Sequence, residues 1–412
     1  MKTAAQSALA LLLLLLVSPI PASAQGPSKV SVVLNFAADG GAAGFYHALE
    51  RGYFRELGLD VTIEPSKGSA DAITRTASQA SDIGIGDIST LVEFASRRPE
   101  IAPKAVFILH NRSPQAVIAL KSSGVAKLTD LHGRILGRGL ADAPSRMFPA
   151  LANIAGLDTS RIEIRQFNPQ LRDTMLLTKQ VDAVTGFDST VLFNLKANGV
   201  AVEDATVIYY ADNGLDVYGN AFLANPAFLQ ARPDAVKAFV RAAARGWRDA
   251  IADPEAAMIS LGKHNTLAKL DIEAERLAWL ASHQIVTPAT RKDGIGAYDR
   301  ERLAQNIAQV GKAFGLTRIP ELAEIYDDRF LPPRDPQGGR RARRLDRPAG
   351  RARHRARGER GLRAGRAAAA RAERACLLHR GERRRQRGGL LRQDGHGARP
   401  VRRDRSNRGG GT

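Results

Sequence analysis

The stretch that decides the fold is LNFAADGGAAGFYHALERGYFRELGLDVTIEPSKGSADAI, residues 34–73. It overlaps the strand-like run VSVVLNF (30–36). A helical pattern, AGFYHALERGYF (43–54), follows, and its Gly52 is a residue type that suits a helix C-terminus. A second strand, LDVTIEP (59–65), precedes a helix that begins at Ser69, whose hydroxyl can cap it. This strand–helix–strand–helix order predicts an α/β fold with a mostly parallel sheet covered by helices.

The same alternation continues along the chain and forms a second unit of the same kind. Further strands are predicted at 82–87, 105–109, 115–120, 133–137, 162–167, 182–187 and 206–211, and helices at 89–98, 144–157, 171–178 and 189–199. A short return strand at 219–224 precedes a C-terminal part that is predicted to be helical. Its apolar faces are Val236, Val240, Ala243, Trp247 and Ile251, and Leu303, Ile307, Val310 and Phe314. Two similar lobes and a helical part predict a two-lobed clamp.

The N-terminus has the pattern of an export signal. Lys2 precedes an apolar run over residues 8–17, and the small residues Ala22, Ser23 and Ala24 follow. The run is too short to span a bilayer, which takes about 20 residues, although an uncleaved membrane anchor is the alternative. We therefore predict a signal peptide over 1–24 that is cleaved near Ala24, and a mature chain that leaves the cytosol for the periplasm. The predicted divisions that follow are 25–112 for the first part of lobe 1, 113–214 for lobe 2, 215–335 for the return strand and C-terminal helices of lobe 1, and 336–412 for a tail.

The tail over 336–412 differs in composition from the part before it. It holds 25 Arg, no Lys and 6 acidic residues, so it accounts for the whole formal net charge of +19. Arg, Gly and Ala make up 51 of its 77 residues, and Phe, Trp and Tyr are absent. Such a segment is expected to be disordered. We hypothesise that it is the product of a frameshift near codon 334, which resequencing of the DNA would test. The alternative is an arm that binds nucleic acid through phosphates.

The predicted folded part lacks the usual catalytic and metal-binding patterns. Its sequence has no cysteine, because Cys376 lies in the tail, so a disulfide scaffold, a cysteine nucleophile and a cysteine zinc site are excluded there. Its histidines are not spaced as metal ligands on a helix. Neither a phosphate-binding P-loop nor a nucleophile elbow occurs. We therefore predict a binding protein without metal or cofactor rather than an enzyme.

Loops rich in glycine and polar residues follow several predicted strands. They are FAADGGAAG (36–44), KGSAD (67–71), GD (86–87), GRGLADAP (137–144) and GFDST (186–190). Open α/β sheets bind ligands at the carboxyl ends of their strands, and free backbone N–H groups at helix N-termini attract polar groups. Glycine in any one loop can also serve only a tight turn. Five such loops on two lobes favour a ligand-binding cleft.

The order of these motifs resembles one family. The run A-x-x-x-GYF-x-x-x-GL-x-V, the SKGSAD segment, DIGIGDIS, KLTDLHGRILG (127–137) and VDAVTGFDS (181–189) are similar to those of ABC-transporter solute-binding proteins of the nitrate/sulfonate/taurine and thiamine-pyrimidine-precursor group, SsuA/THI5-like proteins. The resemblance spans about 30–331. It implies a two-lobed periplasmic-binding-protein fold of type II and capture of a small organic solute. It also implies partnership with the permease and ATPase subunits of an ABC importer. We further predict a monomer, and no specific nucleic-acid partner because residues 1–335 carry no net charge.

The chain departs from this family at two places. Pyrimidine-precursor binders often carry Asn and His in the first loop, whereas this chain has Asp39 among small residues. The family has no counterpart of the tail. A thiamine-pyrimidine-synthase-like enzyme of the same superfamily remains the alternative, although that branch carries a cysteine cluster.

Ten residues at the strand ends and crossings are our candidates for solute contact: Asn35, Phe36, Asp39, Phe45, Ser69, Asp87, Asp142, Phe187, Asp188 and Tyr218. Phe36, Phe187 and Tyr218 could stack on a planar ring, or belong to the core. We expect Asp188→Ala to weaken solute binding more than it lowers stability. The charge of the solute stays open: Asp39, Asp87 and Asp188 favour a neutral or cationic solute, while Arg112, Arg138 and Arg146 would suit an anion.

Overall fold

The computed structural model describes residues 26–333. The predicted signal peptide (1–24) and tail (336–412) lie outside the described residues. Ten strands are described: β1 Ser28–Val33, β2 Leu59–Glu64, β3 Ile83–Asp87, β4 Lys104–Ile108, β5 Gln115–Leu120, β6 Ile135–Gly139, β7 Glu163–Phe167, β8 Ala183–Phe187, β9 Ala205–Tyr209 and β10 Asn220–Ala224. Each predicted strand is present, with bounds that differ from the prediction by at most a few residues.

The helices alternate with the strands and then follow one another to the end of the described chain. They are α1 Ala43–Glu50, α2 Tyr53–Glu56, α3 Ser69–Ala77, α4 Ile88–Arg97, α5 Ala143–Ala155, α6 Arg172–Leu177, α7 Asp188–Ala197, α8 Pro226–Ala231, α9 Pro233–Ala252, α10 Pro254–Gly262, α11 Leu270–Leu280, α12 Pro288–Asp293, α13 Arg300–Ala313 and α14 Leu322–Ile325. A single π-helical turn, Ala281–Ile285, continues α11. No helix among residues 26–333 is long and apolar enough to cross a membrane.

The strands form two five-stranded sheets of the same design, which define the two lobes. The first has the order β2-β1-β3-β10-β4 and the second the order β7-β6-β8-β5-β9. In each, one inserted strand runs antiparallel to both of its neighbours: β10 in the first sheet and β5 in the second. Each inserted strand is the first strand after the chain crosses from the other lobe: β5 follows β4 of the first lobe, and β10 follows β9 of the second. The sheets are therefore mixed, and the carboxyl ends of β1, β2 and β3 face the cleft side, as do those of β6, β7 and β8.

Two local expectations at helix ends have different outcomes. Gly52 follows α1 in the left-handed region, with φ 74°, so the predicted glycine at that helix end is confirmed. The expectation that Ser69 caps α3 is wrong. Gly68 precedes the helix with no side-chain cap, and the Ser69 hydroxyl instead accepts a hydrogen bond from the Asp87 amide at 3.2 Å. The hydroxyl thus ties α3 to the end of β3.

The core of the first lobe is built on the close contact of α1 with α9. A Cβ atom on Gly44 would lie 2.3 Å from the Trp247 ring, and one on Gly246 would lie 2.4 Å from the Gly44 carbonyl oxygen. Glycine at both positions therefore lets the two backbones approach. Trp247 is fully buried there. The predicted apolar faces of the C-terminal part are confirmed, with Ile251 and Phe314 only partly buried.

The two lobes share one apolar cluster. Leu303 and Ile307 of α13 belong to it together with Leu91 of the first lobe and Phe148 of the second. Residues of β4 in the first sheet and of β5 in the second, which follow each other in the chain, are part of the same cluster. The lobes are therefore connected by this apolar cluster as well as by the two chain segments that cross between them, β4 to β5 and β9 to β10.

Candidate functional site

A narrow cavity lies where the two lobes meet. The first lobe contributes Asn35, Phe36, Gly68 and Ser69, and the second contributes Asp142, Ala143, Pro144, Arg172, Phe187 and Thr190. These residues come from the ends of strands or from the helix starts that follow them. The space open to the centre of a water molecule is about 20 Å³, which is room for about one water. The lobes are thus closed on each other, and an organic solute needs them to part.

Backbone contacts join the lobes directly at this cavity. The Ala70 amide donates a hydrogen bond to the Ala141 carbonyl oxygen at 3.2 Å. Gly68 has φ 142°, and a Cβ atom there would lie 2.5 Å from the same oxygen. Both the backbone conformation and the closeness of the opposite lobe require glycine at this position. The KGSAD loop therefore forms part of the closure contact.

Arg172 is the cavity residue with the least complete set of partners. Its side chain is only 3% exposed. Its Nη1 lies 3.3 Å from Asp142 Oδ2, its Nε 3.2 Å from Asp173 Oδ1, and its guanidinium carbon 5.9 Å from the centre of the Phe36 ring. The buried Nη2 has no hydrogen-bond partner among residues 26–333. A buried donor without a partner costs free energy, so Nη2 is available to a hydrogen-bond acceptor atom.

Asp142 links this arginine to a helix start. Its Oδ1 accepts a hydrogen bond from the Ser145 amide at 3.0 Å, which caps α5. Burial raises the pKa of the Asp142 carboxyl, and the Arg172 guanidinium partly opposes that rise. Asp142 thus holds Arg172 and the first turn of α5 in a fixed relation.

The structure brings five of the ten candidate residues to the cavity: Asn35, Phe36, Ser69, Asp142 and Phe187. The other five do not line it. Asp39 lies 3.4 Å from Arg276 Nη1 and caps a short 3₁₀ turn through the Gly41 amide. Phe45 packs in the core, its ring centre 5.5 Å from that of Trp247.

Tyr218, the third aromatic candidate for stacking, is buried away from the cavity. Its hydroxyl accepts a hydrogen bond from the Asp299 amide at 2.9 Å, and Arg302 lies over its ring at 4.2 Å. Of the three candidates, only Phe36 and Phe187 therefore face the space between the lobes. Solute contact by any of the ten residues stays a prediction.

Asp87 is the last residue of β3, Asp188 directly follows β8 as the first residue of α7, and each is fully buried. Asp87 Oδ1 accepts hydrogen bonds from the amide and hydroxyl of Ser89 at 2.9 and 2.7 Å, and Oδ2 accepts one from Gln115 Nε2 at 3.1 Å. Burial raises the pKa of Asp87 to about 6, because these hydrogen bonds offset only part of the lost hydration. Asp87 therefore serves as a helix cap with an internal partner.

Asp188 is the centre of a hydrogen-bond network that joins the second lobe to α11 and its π turn. Its Oδ2 accepts from Trp279 Nε1 at 2.9 Å, Gln284 Nε2 at 2.8 Å and Tyr209 Oη at 2.8 Å. Its Oδ1 accepts from the Ser189 amide at 2.5 Å. Burial raises the pKa of Asp188, and these donors oppose the rise. The carboxylate is saturated with internal donors and joins α11 and its π turn to the start of α7.

The three arginines that would suit an anion also lie outside the cavity. Arg112 pairs with Asp212 at 3.1 Å, and Arg146 pairs with Glu93 through two bonds at 2.9 and 2.7 Å. Arg138 donates to the Ser145 carbonyl oxygen. The arginine that does line the cavity, Arg172, was missed. It follows β7 in the segment NPQLRD (168–173), so extending the strand-end rule to that loop would have found it.

Among residues 26–333, no group of three or more His, Cys, Asp and Glu side chains is placed to hold a metal ion. The groups that surround the cavity are two aromatic rings, one arginine, one carboxylate, hydroxyls and backbone amides. This arrangement can bind an organic molecule through ring contacts and hydrogen bonds.

Comparison with known proteins gives three consistent findings. The family model described as NMT1/THI5 like matches residues 40–257. The riboflavin-binding protein RibY of Chloroflexus aurantiacus is 22% identical over 325 residues, which cover 76% of this chain and 89% of the relative. The formylaminopyrimidine-binding protein of Halalkalibacterium halodurans is 24% identical over 233 residues, covering 56% of this chain and 68% of the relative.

A solved structure shows the same fold. The alkanesulfonate-binding protein SsuA from Xanthomonas axonopodis pv. citri, bound to MOPS, aligns with a TM-score of 0.58 and 13% identity, covering 74% of this chain and 99% of SsuA. The predicted two-lobed periplasmic-binding-protein fold is thereby confirmed. Since the family model spans more than half of the sequence, the chain belongs to the NMT1/THI5-like family.

Proposed function

We propose that this protein is a periplasmic solute-binding protein of an ABC import system. Its cleft binds a small planar organic solute that presents a hydrogen-bond acceptor to Arg172. The observation that carries this proposal is Arg172, which lines the same cavity as Phe36 and Phe187 and whose buried Nη2 has no partner among the described residues. Aromatic rings bind planar ring systems by stacking, and the free donor would orient them.

The charges at the cavity favour a neutral heterocycle over a strong anion. Arg172 is paired with two carboxylates, those of Asp142 and Asp173. The guanidinium therefore offers a directed donor without a surplus of positive charge. A ring carbonyl or ring nitrogen satisfies such a donor, whereas a sulfonate or nitrate would lie beside the Asp142 carboxylate, which lines the same cavity. The relatives named for binding riboflavin and formylaminopyrimidine support the same class of solute.

Solute capture works through closure of the lobes. In the closed arrangement, Gly68 contacts the Ala141 carbonyl and leaves little free space in the cavity. A solute that contacts both lobes binds the closed state more tightly than the open state, and it shifts the balance by that difference in affinity. The permease and ATPase subunits of the importer would then recognise the closed, loaded form.

The remaining parts of the proposal follow from the same function. The mature protein works in the periplasm after removal of residues 1–24, as a monomer that returns its solute unchanged. It does not use a specific nucleic-acid partner. A binding protein needs none of the nucleophile, metal or cofactor patterns that distinguish the enzyme alternative.

Isothermal titration calorimetry tests this function directly. Riboflavin, formylaminopyrimidine, MOPS, taurine and nitrate are titrated separately, and the cell contents are then analysed by mass spectrometry. We expect one of the two heterocycles to bind one to one and to be recovered intact. Consumption of the solute would favour the enzyme alternative. Binding of MOPS, taurine or nitrate in preference to both heterocycles would contradict the solute class argued from Arg172.

A further inference from the structure

A second pocket lies outside the cleft and differs from it in size and charge. Glu93 and Arg97 of α4 line it from the first lobe, and Arg138, Leu140, Arg146 and Gln166 are among its residues from the second lobe. We call this set the rim pocket. Its space for water centres is about 290 Å³, so it is open where the cleft is closed. The turn over 139–143 separates the two, since Gly139 and Leu140 face the rim pocket while Asp142 and Ala143 line the cleft.

One carboxylate in the rim pocket, that of Glu93, forms ion pairs with two arginines. Arg146 binds Glu93 through Nε at 2.9 Å and Nη2 at 2.7 Å, and Arg97 reaches Glu93 Oε1 at 3.0 Å. The Glu93 side chain is only 6% exposed, while those of Arg146 and Arg97 are 33% and 63% exposed. Glu93 therefore sits at the back of the rim pocket and holds two guanidinium groups that still reach solvent.

Arg138 is the third arginine. No carboxylate among residues 26–333 bonds to it directly, although the Asp142 carboxyl, on the cleft side, is near enough to stabilise its positive charge. Its guanidinium donates to the Ser145 carbonyl oxygen and lies 5.7 Å from the centre of the Phe148 ring. Its buried Nε has no hydrogen-bond partner among residues 26–333. Three guanidinium groups around one carboxylate leave two positive charges that the lining residues do not balance. In the cleft, by contrast, the single lining arginine, Arg172, is paired with two carboxylates, those of Asp142 and Asp173.

We propose that the rim pocket is a binding site for a small doubly charged oxyanion, of the phosphate or dicarboxylate class. Guanidinium groups bind the oxygens of such anions in pairs, which suits three arginines around one opening. Because Arg97 belongs to the first lobe and Arg138 and Arg146 to the second, the anion joins the lobes beside the cleft. This site does not depend on which solute the cleft binds.

The test uses the full chain and two probes, inorganic phosphate and succinate, titrated calorimetrically against a sodium chloride reference at the same ionic strength. The variants are Arg138→Gln and Arg97→Gln, and the control is Arg241→Gln, an exposed arginine of α9. The arginine-rich tail is identical in all of them, so anion binding to the tail cancels in the comparison. Arg97 is more exposed than Arg138, so its replacement tests the site even if the Arg138 variant folds poorly.

We expect at least one probe to bind the unmodified protein more tightly than chloride does. Arg138→Gln and Arg97→Gln should each weaken that binding tenfold or more, and Arg241→Gln should leave it within twofold. The probe that binds more tightly identifies the phosphate or the dicarboxylate class. The proposal is overturned if neither probe binds better than chloride, or if the rim-pocket variants bind as the Arg241 variant does.

Discussion

Arg172 Nη1 lies 3.3 Å from Asp142 Oδ2 inside the cleft, and both side chains are buried. The pair fixes the direction of the guanidinium, and Nη2 keeps no partner among residues 26–333, as the proposed solute contact requires. We expect Arg172→Gln to weaken solute binding at least tenfold. The expected loss of about 1.5–3 kcal/mol is that of a hydrogen bond to a charged group. Calorimetry with the solute identified in the binding screen measures it.

The matched control is Arg161→Gln, an exposed arginine of the same lobe. It should bind the solute as the unmodified protein does. Thermal denaturation of both variants without solute separates lost affinity from lost stability. Unchanged affinity in the Arg172 variant would show that Nη2 does not contact the solute.

Asp188→Ala should lower the stability of the protein, whereas the position of Asp188 at a strand end predicted mainly weaker solute binding. Trp279, Gln284 and Tyr209 all donate to Asp188 Oδ2, and the alanine variant leaves these donors without their acceptor. Each unsatisfied buried group costs roughly 1–3 kcal/mol. Gln284 is buried but Trp279 and Tyr209 are only partly buried, so the full cost does not apply to all three donors. We expect the free energy of unfolding to fall by about 2–5 kcal/mol, as measured in urea. If the variant is instead stable and binds the solute more weakly, that result would support the solute contact predicted for Asp188 from the sequence.

Gly68→Ala should keep the lobes from closing. The added Cβ would lie 2.5 Å from the Ala141 carbonyl oxygen of the opposite lobe. We expect solute affinity to fall tenfold or more, and small-angle X-ray scattering to report a larger radius of gyration. The control is Gly294→Ala, where φ is also positive at 93° and no atom lies within 4 Å of the new Cβ. Equal behaviour of the two variants would mean that backbone strain, and not closure, is responsible.

Asp87 should make stability depend on pH between about 4 and 6. Burial raises its pKa to about 6 in the folded protein, against an ordinary value near 4. The folded state therefore keeps a proton that the unfolded chain releases, and the stability contributed below pH 4 is lost as the pH rises through 6. A pKa difference of about two units between the folded and unfolded states corresponds to a loss of about 3 kcal/mol in the free energy of unfolding.

Urea unfolding at several pH values, for the unmodified protein and for Asp87→Asn, measures that loss. The asparagine variant cannot ionise at this position, so its stability should decline less over the same range. Other buried carboxylates are present in both proteins, so the difference between the two curves belongs to Asp87. Parallel curves would show that Asp87 ionises normally.

The sequence alone determined the order and kind of the elements, because the period of the apolar residues depends on local geometry. All ten strands and the helices between them lie within a few residues of their predicted places. The strand-end rule also found Phe36, Asp142 and Phe187, which line the cavity. These predictions need only the direction of each strand and the loop that follows it.

Tertiary structure decided which partner each buried polar group has. Asp188 and Arg172 both follow strand ends, yet Asp188 is saturated by donors from α11 and Tyr209, while Arg172 keeps an unpaired donor in the cleft. Likewise, Phe45 lies in the core and Phe36 in the cavity. A residue pattern reports whether a position is buried, but hydrogen bonds form between groups far apart in the chain. Their partners are therefore set only when the two lobes and the C-terminal helices pack together.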